Sequence, residues 1–176
     1  MPSHGFTMVE LLIVVLLIGI LAAIAIPQFA DSTQGAREAA LARSEAVLSD
    51  AISRYILEHD MPPGYPPGGG DPTEALFIKQ LIYYTDAAGN VSDTKNPTKW
   101  PYGPYLRNGI PVNPFNNSSK VKLLDQGAAE KPKSLGSMTK AEITAIDAQA
   151  FGAEYGWLYC PKTGEIIANM DAKAGS

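Results

Sequence analysis

The chain is poor in cysteine and histidine: Cys160 is its one thiol, and His4 and His59 are its two imidazoles. A single cysteine excludes an intrachain disulfide and any cysteine-based metal cluster, and it reads as a small buried hydrophobe. Two histidines argue against a histidine-based zinc site, and neither lies in the nucleophile-elbow context that serine–histidine catalysis uses. A basic excess is also missing. Lys and Arg number 14 against 18 Asp and Glu, a net charge of −4, so no footprint for nucleic acid is present. The modest acidic balance serves solubility. No catalytic residue is expected, and the chain is not read as an enzyme.

What is abundant is apolar sequence, gathered at one end. Residues 6–26 read FTMVELLIVVLLIGILAAIAI. At about 1.5 Å rise per residue such a helix is about 31 Å long, close to the roughly 30 Å hydrocarbon core of a bilayer. Lipid offers no partners to backbone N–H and C=O groups, so a single crossing segment must be helical. Apolar residues fill every face, which distinguishes it from an amphipathic surface helix. The segment before it, Met1 to Gly5, is too short for an ordinary secretory signal. Glu10 sits inside the apolar run, and an ionisable group there is a functional-site hypothesis. Pro27 closes the run while a helical pattern continues.

Gly5-Phe6-Thr7-Met8-Val9-Glu10, followed by Leu11-Leu12-Ile13-Val14-Val15, closely resembles the class III signal sequence of type IV pilins and type II secretion pseudopilins. The resemblance implies cleavage between Gly5 and Phe6 by a prepilin peptidase and methylation of the new Phe6 amine. Pro27 falls where that family often has a helix-kinking proline. One departure is the leader itself, where only His4 and the terminal amine can be positive. Physics supports the implied assembly. Glu10 and Phe6 are four residues apart, about one helical turn. In parallel helices displaced by a turn, Glu10 of one copy meets the Phe6 amine of the next. Removing one partner of a buried ion pair costs about 3–5 kcal/mol, so register is enforced.

Beyond the membrane-spanning segment, residues 27–60 keep a helical pattern, with Leu41, Leu48, Ile52, Tyr55 and Ile56 forming an apolar stripe that predicts a core-facing surface. Met61-Pro62-Pro63-Gly64 ends this helix. Residues 61–176 read as a small globular domain. Asp71-Pro72-Thr73-Glu74 predicts a helix capped by Asp71, with Leu76, Phe77, Leu81 and Tyr84 on its buried side. Thr139-Lys140-Ala141-Glu142 predicts a second capping box, with Ile143, Ile146 and Ala150 on one face. Tyr155–Cys160 and Glu165–Met170 flank a four-residue turn and predict a hairpin, with Val121–Leu124 as a further strand. The expected fold is α+β: a long N-terminal helix packed on a small C-terminal antiparallel sheet. Trp100, Tyr102, Tyr105 and Trp157 are expected to anchor loops to the core.

The domain also resembles the major pseudopilin of type II secretion. The carrying residues are Tyr65-Pro66, Gly103-Pro104-Tyr105-Leu106 and Pro111-Val112-Asn113-Pro114-Phe115, with residues 125–150 as an insertion. That resemblance implies calcium in a loop of the domain. Asp86, Asn90 and Asp93 are candidate oxygen ligands, although such clusters also make plain turns. The expectation is therefore a structural pseudopilin, anchored once in the inner membrane with its domain in the periplasm. It would polymerise with itself through the N-terminal helices, with prepilin peptidase, minor pseudopilins and an inner-membrane assembly platform as partners. The alternatives are a pilin of a surface type IV pilus, or a Sec-secreted binding protein cut near Ala23-Ile24-Ala25.

Overall fold

A computed structural model describes residues 6–126 and 132–169, with the side chains of residues 25–32 outside the description. The chain forms an α+β structure divided into two compact units, Met1–Ala39 and Ala40–Ser176. Helix α1 (Met8–His59) contributes to both. Its assignment is continuous through Pro27, the expected kink position, whose side chain lies outside the described residues.

In the first unit the apolar side chains from Met8 to Ile24 are uncovered: Met8 is 88% exposed and Leu12 69%. No helix among the described residues is long and apolar enough to cross a membrane. The apolar run read from the sequence continues through Ala25 and Ile26, past the described side chains.

In the second unit the apolar stripe of α1 does what its spacing predicts. Leu48, Ile52 and Tyr55 are fully buried, and Leu41 and Ile56 pack at the margin of the same cluster. The helix stops at His59, where Asp60 takes a positive φ of 58° and Pro62-Pro63 cannot extend it. Helix α2 (Glu74–Ile82) follows. Its cap is Thr73 rather than the expected Asp71: the Thr73 hydroxyl accepts from the Leu76 amide at 3.2 Å. The Thr73 amide is drawn to the Gly64 carbonyl at 3.0 Å, which keeps Asp71 and Pro72 in the preceding loop. Phe77 and Leu81 are buried as expected, but Tyr84 belongs to a strand, since the helix ends at Ile82.

That strand, β1 (Tyr84–Thr85), pairs antiparallel with β2 (Val91–Ser92) in a small separate sheet that the sequence pattern did not reveal. The main sheet has the order β3 (Val121–Leu123), β4 (Trp157–Cys160), β5 (Glu165–Ala168). The β4–β5 hairpin is antiparallel as expected, whereas β3 runs parallel to β4, so the sheet is mixed rather than antiparallel. A parallel pair needs a crossover of a dozen or more residues. The stretch read as an insertion is that crossover, carrying the 3-10 helix Leu135–Ser137 and helix α3 (Lys140–Ile146). Helix α3 opens with the expected capping box of Thr139 and Glu142.

The crossover explains why every residue of β4 is buried. Side chains alternate across a strand. Trp157 and Tyr159 join the core formed with α1 and α2, while Leu158 and Cys160 face Leu135, Ile143 and Ala150. Cys160 is a free, buried thiol. The hairpin turn needs Gly164, whose φ is +70° and where a β-carbon would come within 2.8 Å of Ile56 Cδ1.

Two buried polar side chains hold the loops. Gln80 accepts from the Gly64 amide at 2.6 Å and donates to the carbonyls of Tyr65 and Gly89 at 3.1 and 3.0 Å. His59 Nε2 lies 3.0 Å from Thr85 Oγ1 and 3.1 Å from the Tyr105 hydroxyl, which itself donates to Glu58. Tyr105 and Trp157 are buried and Trp100 and Tyr102 half-buried, in keeping with aromatic anchors.

Candidate assembly site at the start of helix α1

Helix α1 begins at Met8, so Thr7 is the residue before its first turn and Glu10 is the third within it. The first amides of any helix lack intrahelical acceptors. Here the Glu10 amide donates to Thr7 Oγ1 at 3.2 Å, and Glu10 Oε2 accepts from the Thr7 amide at 2.9 Å. The Thr7 hydroxyl also donates to Oε2, at 2.7 Å. This is a capping box in which threonine and glutamate satisfy each other's backbone. The sequence reading missed Thr7, although the Thr-x-x-Glu spacing matches the one recognised at Thr139.

Among the described residues, the contacts made by the Glu10 carboxylate use one oxygen. Among the described residues Oε1 receives no hydrogen bond, and it is available to a donor from another molecule. The neighbouring Phe6 is 76% exposed. Gly5 lies outside the described residues, so the Gly5–Phe6 junction is known from sequence alone. The arrangement brings a helix N-terminus, an anion and an uncovered apolar surface to one end of the chain. A carboxylate at the first turn is favoured by the helix dipole, which helps it remain where a cation can find it.

The candidate calcium ligands are arranged otherwise. Asp86 Oδ1 accepts from the amides of Ala88 and Asn90 at 3.0 and 2.9 Å, and Oδ2 accepts from Asn90 Nδ2 at 2.8 Å. Partial burial pushes the Asp86 carboxyl up, but these bonds outweigh it and hold the group below the ordinary range. Asp93 is engaged by the Thr94 hydroxyl at 3.0 Å. Among the described residues no group of three or more His, Cys, Asp or Glu is placed to hold a metal ion.

Residues 1–26 match the model of the prokaryotic N-terminal methylation motif, and that match covers Gly5, Phe6, Thr7 and Glu10 together. Several curated proteins are similar to this chain. A type IV major pilin protein of Neisseria gonorrhoeae is 36% identical over 96 residues, which is 51% of this chain and 42% of the relative. Over about half of its length the chain is similar to type IV pilins. A fimbrial protein of Neisseria meningitidis serogroup B is 38% identical over 94 residues, covering 51% of this chain and 52% of its own. The type IV narrow pilus major component of Thermus thermophilus is 45% identical over 53 residues, covering 30% and 46%. The chain thus spans about half the length of the curated relatives it matches. No solved structure is a significant match. The motif match lies where the capping box and the uncovered apolar helix lie.

Proposed function

We propose that this protein is the structural subunit of a type IV pilus-like fibre. A prepilin peptidase cuts between Gly5 and Phe6, the Phe6 amine is methylated, and the 6–26 segment holds the subunit in the inner membrane as a single span. Subunits then join side by side, with Glu10 Oε1 accepting from the Phe6 amine of a neighbour while Oε2 keeps its bonds to Thr7. The role is mechanical rather than enzymatic. The observation that carries this reading is the half-used Glu10 carboxylate one turn from the methylation-motif cut, with the apolar face around it uncovered. The names of the relatives, all of them pilins or fimbrial proteins, favour a surface pilus.

A second reading keeps the same assembly chemistry but places the fibre in the periplasm. It would be a type II secretion-like pseudopilus, built with minor pseudopilins on an inner-membrane assembly platform. Its support is Cys160, a lone thiol buried in β4, which leaves no disulfide to close a C-terminal loop. Fibres sheared from the cell surface and analysed by intact mass separate these readings. A chain starting at methylated Phe6 in surface fibres supports the pilus. Processed chain without surface fibres, together with loss of protein secretion on deletion, supports the pseudopilus. Native chain that retains its first five residues, or that starts at Ile26, overturns both.

A further inference from the structure

Asparagine is a thermolabile residue, because the main-chain nitrogen that follows it can attack its side-chain carbonyl. The fold decides where that reaction is free to occur. Asn96 and Asn113 precede prolines, whose nitrogens carry no proton to lose. Asn90 donates to Asp86 Oδ2 at 2.8 Å, and the β-branched Val91 follows it in β2. The Asn116 side chain donates to the carbonyls of Ala153 and Tyr155, and the amide that follows it donates to the Asn113 carbonyl at 2.8 Å. Asn117 is exposed, but the nitrogen that would attack it, that of Ser118, donates to Asn116 Oδ1 at 3.1 Å. The Asn169 side chain donates to the carbonyls of Gly152 and Tyr155.

Asn108 differs on each count. It is followed by Gly109, in the chain's one Asn-Gly pair. Arg107 and Asn108 form an exposed turn next to the buried Leu106. Among the described residues neither the Asn108 side chain nor the Gly109 amide makes a hydrogen bond. Gly109 takes a φ of +76°, and a β-carbon placed on it would meet no atom within 4 Å, so no side chain crowds the attacking nitrogen. The turn borders a groove against Val47 of α1.

We propose that Asn108–Gly109 is a site of spontaneous deamidation in the folded protein, where residue 108 becomes aspartate and isoaspartate. The Gly109 nitrogen loses its proton to hydroxide and bonds to Asn108 Cγ. The Cγ–Nδ2 bond breaks, the leaving nitrogen takes a proton from water, and ammonia departs from the closed succinimide. Water then opens the ring at either carbonyl. One opening gives aspartate, and the other gives isoaspartate with an extra methylene in the main chain. The sum is one water taken up and one ammonia released, with no change of oxidation state. Each conversion adds a negative charge beside Arg107, at the rim of the Val47 groove. The reaction needs no partner but water and does not depend on fibre formation.

The test incubates the full chain in detergent at mildly alkaline pH, in water enriched in heavy oxygen. Its peptides are then read by mass spectrometry with fragmentation that separates aspartate from isoaspartate. In ordinary water residue 108 should gain about 1 Da, and in enriched water it should take up the label. It should convert at least tenfold faster than any other described asparagine, and faster as pH rises. Because the fold leaves this pair unrestrained, guanidinium chloride should change its rate by less than threefold. The same treatment should speed Asn117 about tenfold, since it releases the Ser118 amide. Gly109→Ala should slow conversion of residue 108 about tenfold, and the comparison with and without guanidinium tests wild type even if that variant fails to fold. An Asn108 that persists while Asn117 converts overturns the proposal. So does a rate at residue 108 that rises threefold or more on unfolding, which would mean that the fold protects it.

Discussion

If Glu10 divides its two oxygens between its own helix and a neighbour, Thr7 and Glu10 must fail differently when replaced. Thr7→Val keeps the shape of the side chain but deletes the hydroxyl, and with it the 2.7 Å bond to Oε2 and the 3.2 Å bond from the Glu10 amide. The bond from the residue 7 amide to Oε2 survives, because it belongs to the backbone. Loss of an N-cap costs about 1 kcal/mol, which is about fivefold in an equilibrium. Glu10→Ala removes the acceptor itself and leaves the neighbour's amine buried without a partner. That penalty is about 3–5 kcal/mol, more than a hundredfold. Each variant is to be co-expressed with wild type and its share in sheared fibres measured by mass spectrometry against its share in the membrane. The expected order is wild type, then Thr7→Val reduced severalfold, then Glu10→Ala nearly absent, with equal membrane levels throughout. Thr7→Val excluded as strongly as Glu10→Ala would place the essential function in the cap and refute the division of oxygens. Full incorporation of Glu10→Ala would refute the intersubunit pairing.

Gly5→Leu puts a branched side chain at the cut and should leave the precursor unprocessed, so N-terminal sequencing should read from Met1 rather than Phe6. Gln80→Leu strands the Gly64 amide and the carbonyls of Tyr65 and Gly89. At about 1–3 kcal/mol per unsatisfied buried group, a loss of about 3 kcal/mol or more is expected in urea unfolding of the second unit. Burial lowers the His59 pKa against the opposing influence of the Ala87 backbone, Glu58 and Asp86, so the folded state holds fewer protons than the unfolded chain. Stability from this group is complete above about pH 6.5 and is lost as pH falls toward the lowered value. The urea midpoint of wild type should accordingly fall more than that of His59→Gln between about pH 7 and pH 5; parallel curves would count against a neutral, buried His59.

The two units differ in how much of them could be read from residues alone. Helix α1 was legible because its signals are local and repeated: uninterrupted apolar residues in one half, a stripe at spacings of three and four in the other, and prolines after the stop. The β4–β5 hairpin and the Thr139 cap were legible for the same reason. The parallel pairing of β3 was not, because strand direction depends on where the chain returns after a long crossover, and no local pattern encodes that. Strands β1 and β2 are two residues each, too short for alternation to register. Thr73 displaced Asp71 as the cap through a tertiary contact, the bond to Gly64, which competes with local preference. Glu10 stood out as an acid in an apolar run, whereas Thr7, small and unremarkable in composition, went unnoticed although its spacing was informative.

If the chain assembles as proposed, the contrast between the units bears on what drives that assembly. In the second unit the buried polar groups His59, Gln80, Asn113 and Asn169 all make hydrogen bonds within the domain. In the first unit the apolar side chains are uncovered and can be satisfied equally by lipid or by neighbouring helices. Lipid tails are as apolar as leucine, so hydrophobic burial alone does not favour the fibre over the membrane-held monomer. On the proposed assembly, the group that distinguishes the two states is the one whose needs lipid cannot meet, the second oxygen of Glu10. Apolar-for-apolar substitutions along residues 11–24 should therefore be tolerated in sheared fibres far better than any change at Glu10.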